Sequence, residues 1–522
     1  MKKLRIGILE VLYNTPADTM YAKIMRVNTA GIMPQVLAVW LERAGHEVHL
    51  THFSGPQNLF EELPEDLDMI FFSAFTTSAQ VAYALSNYYR SKGIVTVLGG
   101  PHARSYPEDA VKYFDYVLGF TDENLINDLL HYQKNGRDTG VYLSAQKQPE
   151  ELPGVQERWK HTEKLLSKAS FLKIVPMIGS LGCPYKCSFC IDSEVNYQPL
   201  SFDQLKSDLR FLLTKFKKPV VGWHDPNFGI RFEDYIGAIE DSVPKGAITF
   251  IAESSLALLT EPNVKRMSAN GFRVMLPGIE SWFDMGNKSR MRKTLGLEKL
   301  ERISEQVNMI QNYIPYMQAN FVLGLDMDEG DAPFELTKKF VDRCPGVFPT
   351  YNLLTAYGRS VPLNLEYQNS GRMIPAPFHL MNNDKIMNVK PLNYEWPDFF
   401  RKLLGLFEHT FTPKAVFNRF VSNKGIPIKM MNFFRANTQG KRHIRYYREV
   451  IDLLENDSEF RAFFEGDTNK VPEYYEKQIR EDLGWLSEWL PESALNHDPC
   501  AYQKSIETDT NHLFKPQLAA NG

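Results

Sequence analysis

Twice along the chain, short apolar runs alternate with stretches of helical period, and that alternation limits the fold more than any other feature. Between residues 1 and 136 the runs LRIGILEV, DMIFFSAF and IVTVLGG, with the alternating HEVHLTHF, read as strands. MPQVLAVWLERAG and SAQVAYALSNYYRSKG read as helices stopped by Gly45 and Gly93. PEDAVKYF, DYVLGF and ENLINDLLHYQKNG complete the series. Continuously apolar strands separated by helices are covered on both faces, which means a parallel, doubly wound sheet. Such sheets bind ligands at the carboxyl ends of their strands.

Residues 137–172 are polar, lack a clear period and read as a linker with a turn or short hairpin. A second series fills 173–372. Its strand-like runs are FLKIVPMIGS, PVVGWHD, AITFIAES, FRVMLPGIES, MQANFVLGLD and YNLLTAY, with helices such as FDQLKSDLRFLLTKF between them. That number of units predicts a partial parallel barrel, (β/α)6, short of the eight-unit closed form, with chemistry at the ends where strands run out into loops. From 373 to 522 strand runs vanish, aromatic-rich amphipathic helices dominate, and the last twenty residues read as a loose tail. The expected fold class is thus α/β: a doubly wound first domain, a central partial barrel and a helical C-terminal region.

Composition narrows the function classes. Hydrophobic residues make up 43% and charged residues 23%, the balance of a soluble globular protein. A net charge of −4 argues against nucleic acid as a partner, since phosphate binding needs an excess of Lys and Arg. MKKLRIGILEV reads as a first strand, not a signal peptide, and no run is long enough to span a membrane. Five cysteines without an even framework point to a reducing compartment, and the expected location is the cytoplasm, with membrane association left open.

Three of those five cysteines crowd into Gly182–Cys190, GCPYKCSFC, directly after the first strand of the second series. Cys183, Cys187 and Cys190 can converge from one loop. Soft thiolates select zinc or an iron–sulfur cluster. Structural zinc wants a fourth ligand, and His224 is the nearest downstream histidine. A [4Fe–4S] cluster held by three cysteines leaves one iron open to a substrate. Plain packing of three buried cysteines is the third reading.

Cys183-x3-Cys187-x2-Cys190 after the first strand of a partial barrel resembles the motif of the radical S-adenosylmethionine (SAM) superfamily, including the aromatic Phe189 before the third cysteine. The resemblance implies a [4Fe–4S] cluster whose open iron chelates SAM, and reductive cleavage of SAM to a radical that abstracts hydrogen from substrate. It also implies an electron donor such as a flavodoxin or ferredoxin. At later strand ends, Asp225 and Asn227 in GWHDPNFG resemble a turn of the cobalamin-linked branch. The pairs Glu253-Ser254 and Glu280-Ser281 are candidates for binding the SAM ammonium, ribose hydroxyls or carboxylate.

The first domain resembles the cobalamin-binding domain that precedes such barrels. SAFTTSAQ offers the hydroxyls of Ser73, Thr76 and Thr77, and LGGPHA offers Gly99, Gly100 and His102 for close approach to a flat macrocycle. In DYVLGFTDE only Gly119 fits the family's Gly-Glu-Gly-Glu loop, and Phe120 replaces an acid. Asp-x-His-x-x-Gly is absent, which implies cobalamin bound without a protein histidine on cobalt. Together the likenesses imply methyl transfer to an unactivated carbon, with no catalytic acid or base required. The aromatic C-terminal helices, with interleaved Lys and Arg, point to a lipophilic substrate or a peripheral membrane contact. The chain also resembles hopanoid C-3 methylases, which implies C-3 methylation of a pentacyclic lipid. The alternatives are a non-methylating radical SAM enzyme (cyclase, oxidase or tetrapyrrole modification) and a non-catalytic metal-binding protein.

Overall fold

A computed structural model describes residues 2–12, 20–55, 62–132, 139–169, 171–283 and 295–502. The expected loose tail lies outside these residues from 503 onward.

The first sheet is made of β1 (Arg5–Val11), β2 (Glu47–Phe53), β3 (Met69–Ala74), β4 (Val95–Gly99), β5 (Tyr116–Leu118) and β6 (Val141–Leu143). Its order is β2-β1-β3-β4-β5-β6 and every pairing is parallel. Chain order reverses between β1 and β3, which opens a ligand crevice beyond their carboxyl ends. β6 lies inside the stretch expected to be a linker, and so does a helix, Trp159–Ser167. The linker is therefore partly structured. Three half-buried residues at a sheet edge are too few to show a period in sequence, and β6 exists because β5 offers it a register, Tyr116↔Val141 to Leu118↔Leu143.

The second sheet begins with β7 (Ile174–Met177), followed by the two-residue strands β8 (Ser180–Leu181) and β9 (Gln198–Pro199), which pair only with each other. It continues through β10 (Val220–Trp223), β11 (Thr249–Ala252), β12 (Phe272–Met275), β13 (Gly278–Glu280), β14 (Tyr316–Leu323) and β15 (Phe348–Leu353). Spatially it runs β7-β10-β11-β12/β13-β14-β15, all parallel. β12 and β13 are one expected strand broken at Leu276-Pro277, where proline lacks the N–H that a ladder needs. Six strand positions in an open curve fulfil the expected partial barrel.

Two cores hold the layers together. One, built on Ile6, Ile8, Val36, Trp40 and Leu129, seals one face of the first sheet against its own helices. The other is continuous from Leu9, Phe72 and Tyr83 through Val221 and Phe250 of the barrel to Phe400, Tyr447 and Phe464. The C-terminal region packs against both units. Gln80 donates through Nε2 to the Ala494 carbonyl at 2.8 Å and accepts from the His379 N–H at 3.0 Å, so residues far along the chain cover the helix Ala79–Ser91.

Candidate functional site

The cysteine loop leaves the second sheet after β7 and is closed at its base by the β8–β9 ladder, Ser180↔Pro199 and Leu181↔Gln198. Gly182 turns the chain with φ of 64°, and a Cβ there would fall 2.3 Å from the Val195 carbonyl oxygen, so only glycine fits. Asp225, at the end of β10, holds the other side of the base. One carboxylate oxygen accepts from the Gly179 N–H at 2.8 Å and the other from Ser180 Oγ at 2.6 Å. Tyr235 donates to the Gly179 carbonyl at 2.6 Å. Burial lifts the Asp225 carboxyl to about 6, against the pull of those hydrogen bonds.

Between these anchors the side chains of Cys183, Cys187 and Cys190 are all half-buried and in no disulfide. A tight turn, Cys190 N–H to Cys187 C=O at 3.0 Å, sets the last two. Phe189 packs against the large core. Asn227 brings Nδ2 to 4.0 Å from Cys183 Sγ while its Oδ1 accepts from the Ser255 N–H at 2.9 Å. Among the described residues, no three His, Cys, Asp or Glu side chains converge as a single-ion site would require. His224 is held instead by its N–H to the Met177 carbonyl at 2.7 Å, and burial drops its ring to about 4. In a cubane each thiolate binds its own iron, so three cysteines on a pinned, accessible loop suit a cluster without needing a common ion centre.

Carboxylates gather at the neighbouring strand ends. Glu253 follows β11 and is open to solvent yet surrounded by protein, as a group in a concavity is. Loss of hydration, then the charges of Glu280 and Asp192, raise its carboxyl to about 7. Glu280 sits at φ of 65°, a region that non-glycine residues rarely enter, and its carboxylate folds back over Gly278. Asp192 comes from the cysteine loop itself.

The serines beside these acids hydrogen-bond to nearby backbone. Ser254 is buried and gives its hydroxyl to the Phe228 carbonyl at 2.8 Å; Ser281 is buried and accepts from the Phe283 N–H at 3.1 Å. Both support turns from buried positions. Asp225 likewise positions the loop, because both its oxygens are occupied.

At the end of the first sheet, Ser73, Thr77, Gly99 and Gly100 are partly exposed, with Phe75 exposed beside them. Gly100 has φ of 93°, and a Cβ on it would press on the Ala74 backbone at 3.0 Å, so the β4 loop hugs β3. His102 and Thr76 were expected here as ligands, and both point inward. His102 is 0% exposed, its Nε2 bonded to Tyr83 OH at 2.6 Å and its Nδ1 3.4 Å from Thr76 Oγ1. Burial drives that ring down to about 3, so it stays neutral. Gly119 is a packing position: Tyr142 OH and Ser144 Oγ fill the space of a side chain.

Several residues of the site escaped the sequence reading. Glu10, at the end of β1 and opposite Ser73 of β3, accepts from the Gly31 N–H at 2.6 Å, while its buried Oε2 has no partner among the described residues. Arg104 lies over the Phe120 ring at 5.4 Å and meets Asp192 at 3.3 Å. Ser105 Oγ donates to Ser360 Oγ at 3.0 Å, and Ser193 Oγ to the Ser360 carbonyl at 3.3 Å. These contacts bring the β4 end of the first sheet against the cysteine loop. Phe120, which breaks the expected acidic pattern, serves as the platform for Arg104. No sequence spacing signals a pair separated by so much chain; only the cationic residue next to the Gly-Gly-Pro-His stretch hinted at it.

Residues 28–129 match the family described as B12 binding domain. The chain is 25% identical to a bacteriochlorophyllide d C-8(2)-methyltransferase of Chlorobaculum tepidum, over 73% of this chain and 88% of that one. It is 22% identical to a bacteriochlorophyllide d C-12(1)-methyltransferase of the same organism, over 57% and 66%. The radical SAM methyltransferase TsrM from Kitasatospora setae, solved with cobalamin and a [4Fe–4S] cluster, superposes with a TM-score of 0.54 at 13% identity over 85% of this chain and 99% of that one. The cobalamin-dependent SAM radical enzyme OxsB, solved with aqua-cobalamin, gives 0.54 at 12% identity over 94% and 80%. Residues 28–129 thus match a B12-binding domain, the chain is similar in sequence to methyltransferases, and it has the fold of cobalamin-dependent radical SAM enzymes.

Proposed function

We propose that this protein is a cobalamin-dependent radical SAM methyltransferase acting on an unactivated carbon of an apolar, polycyclic substrate. The observation that carries the reading is the meeting of two strand-end sites: the partly exposed Ser73–Gly100 face of a B12-binding domain, and a three-cysteine loop joined to it through Arg104–Asp192. When bound, a [4Fe–4S] cluster, SAM and cobalamin supply radical chemistry and a methyl carrier. The chain's own residues then bind and orient. Cys183, Cys187 and Cys190 hold the cluster on a loop braced by Asp225 and Tyr235, and Asn227 directs an N–H toward one thiolate, which tunes its electron density. Glu253 and Glu280 offer negative charge to the SAM ammonium. Ser73, Thr77, Gly99 and Gly100 give the corrinoid a close, neutral bed, without a protein histidine. Hydrogen abstraction from a carbon with no acidic proton needs no general base, which fits the absence of one from this set. A flavodoxin or ferredoxin is the class of electron donor that such chemistry takes.

Two substrates are in view. C-3 methylation of a hopanoid rests on the resemblance of SLGCPYKCSFCIDS and GWHDPNFG. A tetrapyrrole is favoured by the names of the two relatives from Chlorobaculum tepidum. The test is anaerobic incubation of reduced, reconstituted protein with methyl-labelled SAM and either a hopanoid or a bacteriochlorophyllide. A labelled product heavier by one methylene unit is expected from one of them. SAM cleavage with neither substrate methylated assigns the protein to the non-methylating class and overturns the proposal.

A further inference from the structure

The helices Pro413–Ser422 and Ile426–Arg435 pack on each other as a hairpin outside the barrel. One face of the hairpin is fixed. Arg419, 1% exposed, donates to the Val347 carbonyl at 3.0 Å, and Asn423 donates to the Gly346 carbonyl at 2.9 Å. Arg435 donates to Tyr316 OH at 2.6 Å and Gln318 Oε1 at 2.8 Å, with its guanidinium 3.8 Å from the centre of the Phe348 ring. All of these partners lie at the amino ends of β14 and β15, away from the cysteine loop.

The other face is apolar and open. Phe417 is 64% exposed, Val421 51%, Ile426 76% and Phe433 43%. Phe417 and Val421 are one turn apart on the first helix; Ile426, Met430 and Phe433 share one face of the second. Five of the large exposed hydrophobics among the described residues therefore cluster within seventeen positions, where scattered single ones would be ordinary. Charge is equally segregated. From 409 to 448 the chain has nine Lys and Arg and no Asp or Glu, although the protein as a whole is acidic. Lys414 and Lys424 are exposed beside the apolar face. Elsewhere in this span some charges are spent internally: Arg448 pairs with Glu408, His443 with Asp384 and His409 with Asp342.

We propose that the hairpin Pro413–Arg435 docks this protein peripherally on an anionic lipid surface, its apolar face entering the headgroup layer and its lysines meeting the lipid phosphates. Apolar side chains flanked by cations, with no acid between them, match an anionic bilayer. A second copy fits poorly, because a two-fold interface would set the same cationic stretch against itself. No helix among the described residues is long and apolar enough to cross a membrane, so contact is at the surface. The inference is independent of the reaction proposed above, since none of these residues belongs to the strand-end sites.

The test is co-sedimentation of the full-length protein with vesicles of phosphatidylcholine alone and of phosphatidylcholine mixed with phosphatidylglycerol. Binding to the mixed vesicles, weakened by salt, is expected. The double variants Phe417→Glu/Ile426→Glu and Lys414→Glu/Lys424→Glu each lower it by roughly tenfold or more. All four side chains are exposed, so iron content, cobalamin content and the melting temperature stay unchanged. The proposal is overturned if the protein ignores both vesicles, if both double variants bind as well as wild type, or if ultracentrifugation shows a dimer that Phe417→Glu/Ile426→Glu abolishes. Capture by a soluble acidic protein, with vesicles left unbound, overturns it as well.

Discussion

The two strand-end sites differ in chemistry although both arise from parallel strands. The end of the first sheet offers small, neutral groups: Ser73, Thr77, Gly99 and Gly100, with Glu10 buried nearby and His102 turned inward. The end of the barrel offers three thiols and three carboxylates, Asp192, Glu253 and Glu280, close enough for their charges to be felt at Glu253. The first suits a large neutral surface approached by backbone; the second suits a metal cluster and a cationic ligand. The same scaffold geometry thus yields two sites, and the side chains at the loop tips decide which ligand each one takes.

The contrast can be broken most sharply at the cysteines. Replacing any of Cys183, Cys187 or Cys190 by alanine is expected to abolish cluster assembly and activity, while cobalamin still binds; iron and sulfide analysis with the visible spectrum reads this. Loss of cobalamin in the same variants would show that the two ends are not separate sites. The converse change is Gly100→Val, which forces a branched side chain into a left-handed backbone against Ala74. Cobalamin affinity should fall by about a hundredfold, on the order of 3 kcal/mol, with iron content kept.

Glu253→Gln sharpens the charge argument. In the wild type, a carboxyl titrating at about 7 gains its charge as pH rises, so SAM binding should tighten through neutrality. The variant should bind SAM about tenfold more weakly above that pH and lose the dependence, measured by calorimetry on the cluster-loaded protein.

Glu10 separates burial from function. Burial raises its carboxyl from about 4.5 to about 7, so between those values the folded state holds a proton that the unfolded chain has released. Stability therefore falls as pH rises through that window, and Glu10→Gln should remove a total loss of about 3 kcal/mol across it, read from urea midpoints. The smallest effect is expected for Arg104→Ala. It removes a half-exposed ion pair to Asp192, should cost about 1 kcal/mol or less in stability, and should lower the methylation rate a few-fold with both cofactors retained.

Strand identity was legible because apolar runs such as DMIFFSAF and AITFIAES carry their own period and end at glycine or charge. The short β6 was not, since its register is borrowed from β5. At the site, the cysteine loop was legible because three candidate thiol ligands share one short segment. Asp225, Ser254, Ser281, Thr76 and His102 bond to groups of the fold itself; a polar residue near a strand end faces either a ligand or the fold's own groups, and sequence does not distinguish these.

By itself, then, the sequence determined what is local: the alternation that makes parallel strands, and the spacing that brings three thiols into one loop. Tertiary structure decided what depends on residues far apart in the chain. It joined Arg104 to Asp192, brought Glu253 near Glu280, and turned the His102 ring into the core. The reason is physical. Backbone period and ligand spacing act within a few residues, whereas the direction of a side chain and the charge around it are set by whatever the rest of the fold packs against it.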